Sequence, residues 1–239
     1  MSDRRPPYGI IGDGRMATHA VRYLELSSLP YRQWSRSRGG DMLEALDGCD
    51  PVLLLVSDGA IASVASTLHA EPQRTLVHFS GAIHTPLAAG MHPLCTFGPE
   101  PYDLDTYRDI PFICEAGGPA FDTVFPELPN PHFAIDPDRK PLYHALAVLG
   151  GNFTTILWTK LFDGFERGLG LPRAVALPYL KRVVANLADA PDAALTGPVS
   201  RGDRATVRAN LEALSGDPFQ AVYRAFVEAV NPALLEEER

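Results

Sequence analysis

The chain has 239 residues and a mass of 25.9 kDa, enough for one large domain or two smaller domains with separate cores. Its formal charge of −8 and isoelectric point near 5.3 argue against binding to nucleic acid or an anionic membrane, since both require a cationic surface. The absence of a secretory signal or an uninterrupted apolar span, together with three scattered cysteines, predicts a soluble cytoplasmic protein without a disulfide framework or a metal site.

Short apolar runs alternate with helical patterns through the first half of the chain. Such alternation is typical of parallel strands joined by crossover helices. The run Val52–Val56 is apolar on both faces, as a central parallel strand should be. The predicted strands are Tyr8–Ile11, Tyr31–Ser35, Val52–Val56, Thr75–Phe79 and Pro111–Cys114, and the predicted helices are Arg15–Leu26, Asp41–Leu46 and Ala60–Leu68.

After about residue 136 the pattern indicates helices alone. We expect a long helix over Ala145–Phe165 that is weakened at Gly150–Gly151, because glycine lowers helix propensity. Two domains are therefore predicted, residues 1–136 and residues 137–239. Further helices are predicted at Pro172–Ala188, Arg204–Leu214 and Pro218–Val230, the last with Asp217 as its N-cap, and stiff ordered loops at Pro86–Pro101 and Pro119–Pro141.

The segment Gly12-x-Gly14-x-x-Ala17 directly follows the first predicted strand and opens a helix. This is the context of a dinucleotide-binding turn, in which glycines allow the backbone and the helix amino end to approach a pyrophosphate. Arg15 and Met16 follow in the first turn of the helix and are candidate cofactor contacts. A tight turn without a ligand is the alternative.

The end of the second predicted strand carries basic and hydroxyl side chains, Ser35, Arg36 and Ser37. An NAD site has an acidic residue about 20 positions after the glycines, whereas a guanidinium there can pair with the 2′-phosphate of NADP. The sequence therefore predicts NADP(H) as the cofactor. An arginine-rich surface loop is the alternative.

The third predicted strand ends in Val56, Ser57 and Asp58. Ligands of doubly wound sheets lie beyond the carboxyl ends of the strands, so these residues are expected beside the cofactor. Asp58 has an alternative role as the cap of the following helix.

Later segments narrow the prediction. The stretches His78–Ala82, Met91–Phe97, Tyr143–Asn152 and Leu195–Asp203 resemble a predicted oxidoreductase family that joins an NADP-binding Rossmann domain to a helical domain of unknown function. The family is related to pyrroline-5-carboxylate reductase and to 6-phosphogluconate and β-hydroxyacid dehydrogenases. The resemblance implies an α/β fold with a doubly wound sheet, followed by an all-helical carboxyl-terminal domain that forms a homodimer.

The chain departs from the lysine and asparagine pair of better understood relatives, because Val148 stands one turn before Asn152. Proton donors for hydride transfer are instead expected at His92 or His144, with His144 facing the same pocket as Asn152 on a regular helix. For His144 the alternative is helix packing, and for His92 it is support of a loop.

Arg201 and Ser80 are further candidates for substrate binding. Arg201 is predicted to hold a substrate carboxylate, with Ser80 or Asn152 orienting the substrate. The alternative pairs Arg201 structurally with Asp203 as the N-cap of the following helix. The sequence thus predicts an NADP(H)-dependent oxidoreductase that acts on a small, anionic C=O or C=N compound between the domains, or alternatively a non-catalytic protein that binds or senses NADP(H).

Overall fold

A computed structural model describes residues 5–69 and 74–236, and it contains one seven-stranded sheet in the order β2-β1-β3-β4-β5-β6-β7. Strands β1 to β5 are parallel, β6 is antiparallel to β5, and β7 is parallel to β6. The strands are β1 (Tyr8–Ile11), β2 (Tyr31–Trp34), β3 (Val52–Leu54), β4 (Leu76–His78), β5 (Ala89–Pro93), β6 (Phe112–Glu115) and β7 (His132–Ile135).

The five predicted strands are present with small changes at their ends, and the doubly wound sheet is confirmed. The two predicted proline-rich loops were wrong in part, because each contains a strand, β5 in the first and β7 in the second. The sequence of β5, Ala-Gly-Met-His-Pro, has little strand character of its own. It is a strand because β4 and β6 both pair with it.

The central strands are buried on both faces. Successive side chains of a strand point to opposite sides, so Ile10 and Ile11 of β1 enter two different cores. The helix α1 (Arg15–Leu26) contributes Ala17 and Tyr23 to the first core. The helix α3 (Asp58–Leu68) contributes Ile61, Ala65 and Leu68 to the second.

The remaining helices of the first half are short, and helices account for all the regular structure described after Ile135. A single helical run contains α6 (Lys140–Ala147), a π-helical segment (Val148–Phe153), α7 (Thr154–Asp163) and a second π-helical segment (Gly164–Gly168), so Gly150–Gly151 loosen the predicted long helix without ending it. The others are α2 (Met42–Ala45), α4 (Leu104–Asp109), α5 (Phe121–Val124), α8 (Leu177–Asp189), α9 (Pro198–Arg201), α10 (Arg204–Ala213) and α11 (Phe219–Val230).

The chain divides into two compact units, Met1–Leu157 and Trp158–Arg239. The first unit contains the sheet, α1 to α6 and the start of α7. The second contains the rest of α7 and the helices after it, including α11, where the Asp217 carboxylate accepts a hydrogen bond from the Phe219 amide at 2.8 Å as predicted.

The helical run carries an exposed apolar stripe at Leu142, Leu146, Leu149, Phe153 and Ile156. The residues recur every three or four positions, the spacing typical of one side of an α-helix, and all five are exposed. By length and composition alone the run Pro137–Gly168 is apolar enough to cross a membrane, with a mean hydropathy of 1.2, and its most apolar window has no buried residue.

Candidate functional site

The candidate site begins with the turn after β1, at the point where the strand order of the sheet reverses. The chain proceeds from β1 to β2 on one side and then returns to place β3 on the other, so the carboxyl ends of β1 and β3 border a crevice. Gly12 follows β1 with φ of +130°, and a Cβ there would lie 2.2 Å from the carbonyl oxygen of Leu55. The fold itself thus requires glycine at residue 12.

Gly14 differs from Gly12 because the fold does not require it. It is the N-cap of α1 with φ of −73°, which any residue adopts, and a Cβ there would meet nothing within 4 Å. Ala17, three residues on, is fully buried where α1 packs on the sheet. The open space beside Gly14 belongs to a cavity of about 690 Å³ that faces the amino end of α1.

This first cavity also contains the predicted 2′-phosphate residues. Ser35, Arg36 and Ser37 line it together with Gly12, Gly14, Val56 and Ser57. Arg36 is exposed and has no ion-pair partner within the described parts of the chain, so its guanidinium is available to a ligand. The structure thus brings together residues from three separate strand ends.

Asp13 adds a feature that the sequence reasoning missed. Its carboxylate accepts a hydrogen bond from the Ser37 hydroxyl, which in turn lies 2.9 Å from the Ser35 hydroxyl. These hydroxyls, Ser37 above all, hold the pKa of Asp13 below its usual value. A phosphate that took the Ser37 hydroxyl would therefore compete with a negative charge.

A second cavity of about 230 Å³ adjoins the first, since Leu55 and Val56 line both. Asp58, Met16, Ser80 and His92 line it as well. Ser57 occupies the N-cap position of α3 and Asp58 is the first residue of the helix, so the predicted capping role of Asp58 was wrong.

Arg15 points elsewhere. Its guanidinium donates a hydrogen bond to the carbonyl oxygen of Phe97 at 3.4 Å, and it lines neither of these two cavities. Its assignment to the cofactor stays a prediction.

Ser80 forms the turn beside His92. Its hydroxyl oxygen accepts hydrogen bonds from the amides of Ala82 at 3.2 Å and Ile83 at 3.1 Å, which leaves its O–H free to donate. Gly81 lies beneath two imidazoles, because a Cβ there would be 3.1 Å from His92 Nε2 and 2.8 Å from His144 Cδ2. Glycine at residue 81 thus makes room for both predicted histidines.

His92 contacts a tyrosine that the sequence reasoning did not assign. The hydroxyl of Tyr143, on α6, lies 2.6 Å from His92 Nδ1. Burial, with the nearby His144 and Lys140, lowers the pKa of His92 to about 4, so the ring is neutral at pH 7. The spacing of Lys140, Tyr143 and His144 on one helix was the available signal, but the fold was needed to place His92 beneath them.

A buried charged cluster lies one helical turn before Tyr143. Lys140 Nζ donates to Glu115 Oε1 at 2.6 Å and also to the carbonyl oxygen of Ile83, while His84 Nδ1 lies 2.9 Å from Glu115 Oε2. Burial opposes ionisation of Glu115, but the hydrogen bonds from Lys140 and His84 outweigh it and leave its pKa below the usual value. The cluster fixes the start of α6 against the sheet.

Asn152 and Arg201 are predicted site residues that line neither cavity. Asn152 is exposed in the π-helical segment Val148–Phe153, so the helix between His144 and Asn152 is not regular. The alignment of Asn152 with His144 and its role stay predictions. Arg201 ends α9 in the second unit and is exposed, and its role stays a prediction.

Asp203 does cap α10, as the alternative held. Its carboxylate accepts hydrogen bonds from the Thr206 amide at 3.0 Å and the Thr206 hydroxyl at 2.7 Å.

Solved structures share this fold over nearly the whole chain. A candidate NADP oxidoreductase from Bacteroides fragilis is 20% identical, with a TM-score of 0.77 and coverage of 95% of this chain and 98% of its own. A Thermotoga maritima protein is 25% identical (TM-score 0.68, coverage 97% and 100%). Plasmodium falciparum pyrroline carboxylate reductase, solved with NADP bound, is 13% identical (TM-score 0.61, coverage 96% and 97%). No curated protein matches the sequence.

Together the doubly wound sheet, its glycine turn and the helices that follow define a Rossmann-like protein with a helical carboxyl-terminal part. Residues 111–230, half of the chain, match the family described as a domain of unknown function, DUF2520, and the chain belongs to that family. The resemblance drawn from the sequence is confirmed.

Proposed function

We propose that the protein is an NADP(H)-dependent oxidoreductase that transfers hydride to or from a small, anionic C=O or C=N compound. The observation that carries the proposal is that two cavities share the lining residues Leu55 and Val56. The first cavity has Arg36 and the glycine turn, which suit a phosphorylated adenosine and a pyrophosphate, and the second has His92 and Ser80. Adjacent phosphate and proton-donor sites are what a nicotinamide reductase needs.

The available groups agree with NADP(H) rather than NAD(H). The unpaired Arg36 guanidinium can make a forked contact with a 2′-phosphate, and the amino end of α1 supplies amides for the pyrophosphate. The reduced cofactor would supply a hydride at its nicotinamide. The likeness to an NADP-bound pyrroline carboxylate reductase supports the same cofactor and a C=N substrate.

The proposal is tested by thermal unfolding with each cofactor. NADPH should raise the melting temperature more than NADH at equal concentration, because only NADPH offers a partner to Arg36. Equal effects would remove the 2′-phosphate role, and no effect from either would overturn the cofactor claim. Oxidation of NADPH with a panel of keto acids and cyclic imines then separates an enzyme from the alternative, a non-catalytic NADP(H)-binding protein.

We also propose that the protein is a cytoplasmic homodimer, with residues 1–136 holding the cofactor and residues 137–239 forming the subunit contact. The exposed stripe from Leu142 to Ile156 supports this, since a side chain such as Leu146, 58% exposed, gains from burial against a second copy. A membrane helix is the less favourable interpretation, because His144, Asn152 and Lys160 interrupt the same run.

A further inference from the structure

His92 and Tyr143 form a hydrogen-bonded pair at the edge of the second cavity. The distance from Tyr143 O to His92 Nδ1 is 2.6 Å, and the two rings meet edge to face with centroids 5.6 Å apart. Only His92 of the two lines the cavity. Tyr143 therefore reaches a substrate through His92 rather than directly.

The surroundings of His92 disfavour a positive charge on its ring. Burial opposes protonation most strongly, His144 and Lys140 on α6 oppose it as well, and Asp58 on α3 favours it. A neutral imidazole carries one N–H, so the partner of Nδ1 decides which nitrogen bears it.

Tyr143 is suited to act as the donor to Nδ1. Burial raises the pKa of Tyr143 to about 12, so its hydroxyl keeps its proton at neutral pH. A phenol O–H is a stronger acid than the N–H of a neutral imidazole, which favours the arrangement in which the phenol donates and Nδ1 accepts. The proton of His92 then resides on Nε2, next to the space left by Gly81.

We propose that neutral His92 is the proton donor of the reductase, through Nε2–H, and that Tyr143 is a positioning residue that fixes this tautomer and replaces the proton. The inference rests on the proposed NADP(H) reductase function. It differs from the sequence-based expectation, which relied on a histidine that titrates near neutral pH.

The proton balance is complete for a carbonyl substrate. Bound NADPH would supply the hydride to the carbonyl carbon, and the π electron pair of C=O would move to the substrate oxygen. That oxygen takes the proton of His92 Nε2 while Nδ1 takes the proton of Tyr143, so His92 stays neutral and Tyr143 becomes a phenolate. An alkoxide is a stronger base than a phenolate, so the transfer is downhill, and the phenolate regains a proton from solvent.

The tautomer is measured directly by NMR of protein labelled with ¹⁵N-histidine, with His92→Asn identifying the signals. At pH 7 we expect a bare Nδ1 and a protonated Nε2. Tyr143→Phe should abolish this preference, whereas Tyr31→Phe, which removes a hydroxyl bonded to Glu25 at the surface, should leave it unchanged. A charged His92, a bare Nε2 in the wild type, or an unchanged tautomer in Tyr143→Phe would overturn the inference.

Activity is measured with pyruvate and 1-pyrroline-2-carboxylate as probes. Tyr143→Phe should lower kcat about 100-fold and leave the Kd of NADPH within about twofold. Wild-type kcat should be flat from about pH 6 to 10, between the pKa values of His92 and Tyr143, while the variant should gain activity as the pH falls because only a protonated His92 remains to donate. A fall in kcat without a changed pH profile indicates a merely structural role and overturns the inference.

The two proposals fail in different ways. If NADPH does not stabilise the wild type, the proposed function fails whatever the tautomer. If NADPH binds and the tautomer is wrong, only the role of the pair fails. Should neither probe be reduced, or should Tyr143→Phe not fold, the wild-type tautomer still decides.

Discussion

The apolar residues of the central strands of the sheet are buried, whereas those on one side of the long helical run are exposed to solvent. Ile10, Ile11 and Leu54 are at most 1% exposed, whereas Leu146 and Leu149 are 58% and 54% exposed. The sheet is therefore complete within one chain, and its crevice can bind a ligand at any protein concentration. The stripe on the helical run stays exposed to solvent in the part of the chain that the structure describes, so we expect its stability to depend on the proposed homodimer.

The largest expected effect is on assembly. Leu149→Asp places a carboxylate in the middle of the stripe, and the proposed dimer should dissociate about 100-fold more readily because burying an unpaired charge is unfavourable. Sedimentation velocity across a dilution series measures this change. Arg22→Asp, on the exposed side of α1, is the control and should leave the dimer intact. If the wild type is a monomer at high micromolar concentration, the exposed stripe is not a dimer contact.

The sheet should respond instead through folding. Gly12→Ala would force a Cβ onto the Leu55 carbonyl oxygen at a φ that alanine rarely adopts, so we expect a loss of at least about 2 kcal/mol. Urea unfolding measures the free energy of unfolding. The difference between Gly12→Ala and the wild type should be the same at every protein concentration. Retention of wild-type stability would show that the turn differs from the one described.

The next effect concerns the cofactor alone. Arg36→Glu should weaken NADPH binding about 10- to 100-fold, since a charge-assisted hydrogen bond contributes about 1.5–3 kcal/mol, and should leave NADH binding nearly unchanged. Isothermal titration calorimetry measures both. Arg22→Glu makes the same charge change on α1 and serves as the control. Equal weakening for both cofactors would remove the selectivity argument.

Gly14→Ala is the matched partner of Gly12→Ala. Because a Cβ there meets open space, we expect the free energy of unfolding to change by less than about 1 kcal/mol. NADPH affinity should still fall about tenfold if the space is reserved for the pyrophosphate. Unfolding curves and calorimetry on the same sample separate the two effects. An unchanged affinity for NADPH would show that Gly14 does not contribute to cofactor binding.

The smallest effect is expected at Asp13. Asp13→Asn removes a charge beside Ser37 and should tighten NADPH binding about two- to fivefold, with NADH unaffected. The hydrogen bonds keep the Asp13 pKa below its usual value, so the carboxylate stays charged down to that depressed pKa. Wild-type NADPH affinity should accordingly improve only at acid pH, and the Asn variant should lack that improvement. Weaker NADPH binding in Asp13→Asn would show that the Asp13 carboxylate favours NADPH binding rather than opposing it.

The features predicted well from sequence are those set by neighbouring residues. Strand β1 and helix α1 have the predicted bounds because apolar alternation and the glycine turn are local signals. Strand β5 could not be recognised, since its pairing with β4 and β6 comes from residues distant in sequence. The same reason explains Tyr143, whose contact with His92 joins residues 51 positions apart.

Gly90 of β5 lies directly under the charged cluster, where a Cβ would stand 2.4 Å from Glu115 Oε1 and 2.7 Å from Lys140 Nζ. The lack of a Cβ at residue 90 therefore allows Lys140, and with it the start of α6, to pack closely against the sheet. Since Tyr143 lies one turn after Lys140 on that helix, Gly90→Ala should displace the pair and change the distance from the phenol oxygen to His92 Nδ1. Residue 90 thus influences this contact without being one of its partners.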